Sequence, residues 1–222
     1  MTPGPPEPGL DRRAVALAGH CGDESTARAG LHDADASVRA TALGALERLG
    51  ALDDATLVHA LADADPTVRR RASAVVAGHR NVDLRAVLDD DEPAVAEVAA
   101  WSCGERSKSD HAVIERLVEL AGGARTGRDP LVRESAVAAL GAIGDDRGLD
   151  AILAATTDKP AVRRRAVLAL APFVGPDHPR ATDVAAVLAA AVADRDWQVR
   201  QAAEDISPTA DPDSDPLESR SP

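Results

Sequence analysis

The sequence predicts an all-α superhelix: six helical hairpins stacked in a row, preceded by a half-repeat that lacks its first helix. Three observations predict it. A short pattern recurs along most of the chain, the apolar residues inside each copy follow a helical period, and the composition leaves little with which to build a sheet. Only 1% of the 222 residues are aromatic, Phe173, Trp101 and Trp197, with no tyrosine. Sheets draw on aromatic and β-branched side chains, whereas here alanine, leucine and valine carry most of a hydrophobic fraction of 45%. A chain of this length and content can bury a sizeable core.

Laying the chain on itself shows the repeat. Asp63 to Ala72 reads DADPTVRRRA and Asp33 to Ala42 reads DADASVRATA. Further copies are DDEPAVAEVA from Asp90, DPLVRESA from Asp129, KPAVRRRA from Lys159 and DWQVRQAA from Asp196, and a half-copy, LDRRAVAL, opens at Leu10. The markers Leu10, Val38, Val68, Val95, Val132, Val162 and Val199 are spaced by 28, 30, 27, 37, 30 and 37 residues. Both long spacings have visible causes. The glycines between Gly122 and Gly127 lengthen one loop and Pro172 to Pro179 another, and stacked repeats tolerate insertions in loops.

Each unit divides into a short first helix, an acidic turn and a longer second helix. Pro66, Pro93, Pro130 and Pro160 stand two residues before their markers, which suits the first helical position, where a missing N–H costs nothing. Asp35, Asp65, Asp129 and Asp196 then fall at the N-cap, where a carboxylate accepts from free first-turn N–H groups. Lys159 breaks this rule, and Asp158 beside it is the expected substitute. Val38, Ala42, Leu43, Leu46 and Leu49, or Val132, Ala136, Val137, Leu140 and Ile143, trace one face of a helix. Gly50, Gly78, Gly104 and Gly144 stand where the second helices should stop, and the abundant alanines allow neighbouring helices to approach closely.

These residues, with Asp in the turn, Val-Arg on the second helix and Ala four positions after Val, resemble HEAT repeats, most closely the short form of about thirty residues named for phycobilisome lyases. The resemblance spans residues 10–206. It implies a right-handed α-α superhelix with the first helices on the convex side, the second helices lining a concave surface, and an Asp–Arg ladder along the stack. The ladder arginines would be Arg39, Arg69, Arg133, Arg163 and Arg200, interrupted where Ala96 replaces arginine. Residues 1–9 and 207–222, rich in proline and acid, are expected to be disordered tails flanking this one domain.

Lys and Arg number 25 against 37 Asp and Glu, a net charge of -12, which argues against nucleic acid as the partner. The N-terminus has neither the basic flank nor the apolar stretch of a secretory signal, and no run is long enough to span a membrane, so a cytoplasmic location is expected. Cys21 and Cys103 form no C-x-x-C pair and read as buried small hydrophobes. In a stack of hairpins they lie three steps apart, on the order of 30 Å, too far for a disulfide. The six histidines form no ligand cluster, none is followed by glutamate, and Asp89 to Glu92 reads as a capping turn. No cofactor, metal or catalytic residue is expected.

The expected function is that of a non-enzymatic scaffold or adaptor whose concave face binds a protein or peptide. Arg70, Arg71, Arg164 and Arg165 sit just past their markers, at slots that hold Glu97 and Glu134 in other units, so the face is mixed in charge. Trp101 occupies a slot that is Gly44, Ala74, Ala138 or Leu168 elsewhere, and it is either a binding anchor or a filler of core space. The resemblance leaves two alternatives open, a chromophore (bilin) lyase or lyase subunit, and a nucleic-acid-binding, DNA-repair-like protein.

Overall fold

A computed structural model describes residues 10–106, 110–122 and 127–207. The expectations for residues 1–9 and 208–222 lie outside the described residues. Among the described residues there are thirteen α-helices and no strand. Helix α1 (Arg12–Cys21) is followed by six hairpins: α2 (Glu24–Gly30) with α3 (Ala36–Leu49), α4 (Asp54–Leu61) with α5 (Pro66–Val75), α6 (Arg85–Leu88) with α7 (Pro93–Gly104), α8 (His111–Ala121) with α9 (Pro130–Ile143), α10 (Leu149–Ala155) with α11 (Pro160–Ala169), and α12 (Ala181–Ala191) with α13 (Trp197–Ile206). Each hairpin is in contact with itself, and each second helix packs on the next, from α1 against α3 through to α11 against α13. The first helices make substantial contact only from α6 to α8 and from α8 to α10. A row that is tight on one side and open on the other bends toward its tight side, so the second helices form the concave layer.

Local chemistry explains where the helices start and stop. The Asp35, Asp65, Asp129 and Asp196 side chains each accept from a first-turn N–H, and α5, α7, α9 and α11 begin at their prolines. Asp158 does not replace the missing cap of α11: the capping residue is Lys159, without a side-chain bond, and the Asp158 carboxylate is held by Arg133 instead. Gly50 and Gly144 end α3 and α9 with φ values of +65° and +66°, the left-handed conformation that glycine adopts without penalty. Gly78 and Gly104 act otherwise. Gly78 lies in a 3-10 turn that continues α5, and Gly104 is the last residue of α7, facing Ala139.

That close approach repeats along the concave layer. A Cβ on Gly19 would stand 2.7 Å from the Ala45 Cα, one on Gly104 2.9 Å from the Ala139 Cα, and one on Gly141 2.6 Å from the Ala169 Cα. Each glycine lies nine positions after its marker and each alanine seven after the next, and the same register holds for the opening half-unit counted from Leu10. Leu10 is therefore the true marker of that unit, although α1 begins only at Arg12. The core is continuous from Ala18 to Ala203. Its large side chains include Leu43, Leu57, Leu88, Ile114, Leu140, Ile152 and Phe173, all fully buried.

An ionic ladder joins the hairpins. Arg39 grips Asp63 with Nε and Nη2 at 2.9 and 2.8 Å, Arg69 grips Asp90 at 2.7 and 2.9 Å, Arg133 grips Asp158 at 2.8 and 2.7 Å, and Arg163 grips Asp194 at 2.9 Å through both nitrogens. The third nitrogen of each arginine donates to a carbonyl of its own turn, as Arg39 Nη1 does to Asp33 O at 3.0 Å. Each carboxylate also accepts the backbone N–H of a residue in its own turn, as Asp63 does from Asp65 at 2.9 Å. One bidentate pair thus fixes both a turn and the step between hairpins. The arginine hydrogen bonds hold Asp63, Asp90, Asp158 and Asp194 below the ordinary carboxylate value. Their contribution is present above pH 4 or so and lost as pH falls through the lowered values.

The ladder breaks between α7 and α9, where both partners are missing together: Ala96 replaces the arginine, and Gly127 and Arg128 stand where the next turn would carry its acid. Losing both avoids a buried unpaired charge. There the joint is made by the Gly104–Ala139 approach and by Ser135 Oγ donating to Glu97 O at 2.7 Å. At the far end Arg200 donates to Asp194 O at 2.8 Å and grips no carboxylate among the described residues.

His79 makes a second joint, with Nδ1 2.8 Å from Asp54 and Nε2 3.0 Å from Glu47. Burial pushes its pKa down, but the hydrogen bonds and charges of the two carboxylates outweigh burial and raise it above 6.5. The resulting stabilisation is complete below about pH 6.5 and fades as pH rises through the raised value. The melting temperature of the wild type should therefore fall from pH 6 to 9 more than that of His79→Gln. Equal slopes would show that the joint carries no charge.

Candidate functional site

The concave surface is built from second-helix residues at two, three, six and ten positions past each marker, a row one turn apart on one helix face. In α1, α3 and α5 this row holds Arg12, Ala16 and His20, then Ala40, Thr41, Gly44 and Arg48, then Arg70, Arg71 and Ala74, and together with Ser37, Thr67 and Val98 these residues enclose a cavity of about 580 Å³. No acid lines it. The Arg71 guanidinium crosses from α5 to lie over α3, so close that a Cβ on Gly44 would stand 1.9 Å from its Nη2. Gly44 is the notch that receives it.

Further along, Trp101 on α7 is 46% exposed, so it does not fill the core. Glu97, one turn before it, is half-buried. Glu134 on α9 lies 3.6 Å from Arg165 on α11, and the two partly neutralise each other. Arg164 forms no ion pair among the described residues. Of the candidate residues, the fold thus brings Arg70 and Arg71 together in the cavity and pairs Glu134 with Arg165, while Trp101, Glu97 and Arg164 stand apart from that cavity. Arg48 and His20, ten positions past their markers, lie beyond both the marker-adjacent slots and the Trp101 slot that single out the other candidates. Their spacing of eight from Ala40 and Arg12 is the signal that points to the same face.

Cys21 is exposed, against expectation, because it ends α1 at the rim of the stack, while Cys103 is buried and its thiol pushed up to about 12 by desolvation. The two form no disulfide with each other. Asp89 to Glu92 does not cap α7 through a side chain: Glu92 is the capping residue without a side-chain bond, while Asp90 pairs with Arg69 and Asp89 with Arg116 and Arg128. Among the described residues no group of His, Cys, Asp or Glu could hold a metal, and no helix is long and apolar enough to cross a membrane.

A profile of HEAT repeats matches residues 81–171 and 123–205. The chain belongs to the HEAT-repeat family. Solved structures with a similar fold include a designed armadillo repeat protein in complex with peptide (KR)4, 18% identical over 88% of this chain and 97% of that one with a TM-score of 0.54. Another comes from computationally designed armadillo repeat proteins for modular peptide recognition, 18% identical over 87% of this chain and 97% of that one with a TM-score of 0.55. No curated protein matches the chain at a significant level.

Proposed function

We propose that the protein is a non-enzymatic adaptor that docks an extended segment of another protein along its concave face. Trp101 is the anchor, and Arg70, Arg71, Glu97, Glu134, Arg164 and Arg165 are the flanking charges. The observation that carries this reading is the exposure of Trp101 in a row whose other members include Gly44, Ala74 and Ala138. A trough floored by small residues lets a backbone approach, and one large half-exposed ring beside charged neighbours is the composition of an interface hot spot. The designed repeat protein that holds peptide (KR)4 supports the reading as a precedent for this architecture.

Peptides selected by display against the full chain test it. Their binding should weaken on Trp101→Ala by a factor of about thirty, the effect of a hot spot of ~2 kcal/mol, with helical content unchanged. Val58→Ser, on the exposed face of the first helix α4, should leave it unaltered. Selected peptides that respond to Val58→Ser and ignore Trp101→Ala would place docking on the other layer.

A further inference from the structure

We infer that the cavity across α1, α3 and α5 is a carboxylate-binding pocket that receives the acidic part of a docked peptide. This rests on the docking reading above and gives it a polarity. Arg12, Arg48, Arg70 and Arg71 all line the cavity with His20, and no Asp or Glu does. None of the four arginines forms an ion pair among the described residues, whereas Arg28, Arg39, Arg69, Arg85, Arg133 and Arg163 all do. In a chain where acids outnumber bases 37 to 25, four guanidiniums around one cavity with no ion pair among the described residues stand out. Their mutual repulsion is relieved by anions from outside.

The geometry favours carboxylates on a peptide over phosphates on a nucleic acid. Arg71 is already seated in the Gly44 notch, which lowers the ordering cost of gripping a planar carboxylate. The apolar lining is Ala16, Ala40, Ala74 and Val98, suited to aliphatic stems, and no Phe, Tyr or Trp lines the cavity to stack on a base. Just beyond it the same face carries Glu97, Glu105 and Glu134, which would repel a continuous phosphate backbone. The trough is therefore positive at α1 to α5 and negative at α7 to α9, and it orients a peptide with its acidic end over the cavity.

The test uses the full chain and a labelled Glu-Ala alternating octapeptide, with Gln-Ala and Lys-Ala octapeptides and a short DNA duplex beside it. The Glu-Ala peptide should bind, the Gln-Ala and Lys-Ala peptides should not, and salt should weaken the complex. The double variant Arg70→Glu, Arg71→Glu should lower its affinity by at least about ten-fold. Arg80→Glu with Arg195→Glu, an equal change of charge at exposed residues between helices, should leave it within about two-fold. Equal losses in both double variants, or equal binding of Glu-Ala and Gln-Ala, would overturn the pocket. So would a duplex that binds through Arg70 and Arg71 while the octapeptide does not. If display-selected peptides still depend on Trp101 but Glu-Ala fails to bind, the docking reading stands and this inference falls.

Discussion

Arg133→Ala is expected to destabilise the protein by about 3–5 kcal/mol, the cost of leaving one member of a buried ion pair without its partner. The Arg133 and Asp158 side chains are only 3% and 5% exposed, and the Asp158 carboxylate would lose both guanidinium bonds at once. The double substitution Arg133→Met, Asp158→Leu removes both charges and should restore most of that loss, because a buried pair roughly breaks even against apolar groups of similar size. Chemical denaturation of the two single variants and the double measures this directly. A double variant no better than the sum of the singles would mean that the pair is not coupled across the α9–α11 joint.

Gly141→Val should be comparably severe. A helical Gly→Ala change ordinarily gains up to about 1 kcal/mol, but at Gly141 the new Cβ would meet the Cα and Cβ of Ala169, both at 2.6 Å. Backbone cannot yield as a side chain can, so even Gly141→Ala should lose roughly 1–3 kcal/mol, and Gly141→Val more. Gly44→Ala is the contrast. There the obstacle is the far end of the Arg71 side chain, which can swing away, so stability should change little while the concave cavity loses its seated guanidinium. Thermal melts that ranked Gly44→Ala as the more damaging of the two would contradict the packing argument.

The hairpin order was legible because the physics is local and repeated. Proline at the first helical position, aspartate at the cap and valine five positions after the turn acid recur with few exceptions, so each copy reinforces the others. What was not legible depends on the joints between copies. Gly104, nine positions past its marker, reads as a helix stop beside Gly50 and Gly144, since glycine both ends helices and admits a neighbour, and only the facing Ala139 of the next unit distinguishes it. Asp158 looked like a cap because its register is shifted by one residue relative to Asp63 and Asp194, and its partner Arg133 lies 25 positions away. The exposure of Cys21 followed from its place at the end of the first helix in the row, which local sequence does not mark.

The candidate site divides in the same way. Arg70, Arg71 and Trp101 could be singled out one unit at a time by comparing equivalent slots. That Arg12 and Arg48 join Arg70 and Arg71 around one cavity required three helices side by side, with Arg48 reaching from a unit whose marker-adjacent slots, Ala40 and Thr41, are neutral. The fold groups Arg12, Arg48, Arg70 and Arg71 around that cavity, while Arg164 and Arg165 stay on α11, beyond Glu134.

Hydrogen–deuterium exchange of the full chain, with and without a display-selected peptide, tests the central claim that partners lie along the second-helix layer. Docking on that face predicts slowed exchange in α3, α5, α7 and α9, with α2, α4, α8 and α10 unchanged. Protection confined to the first helices would contradict it.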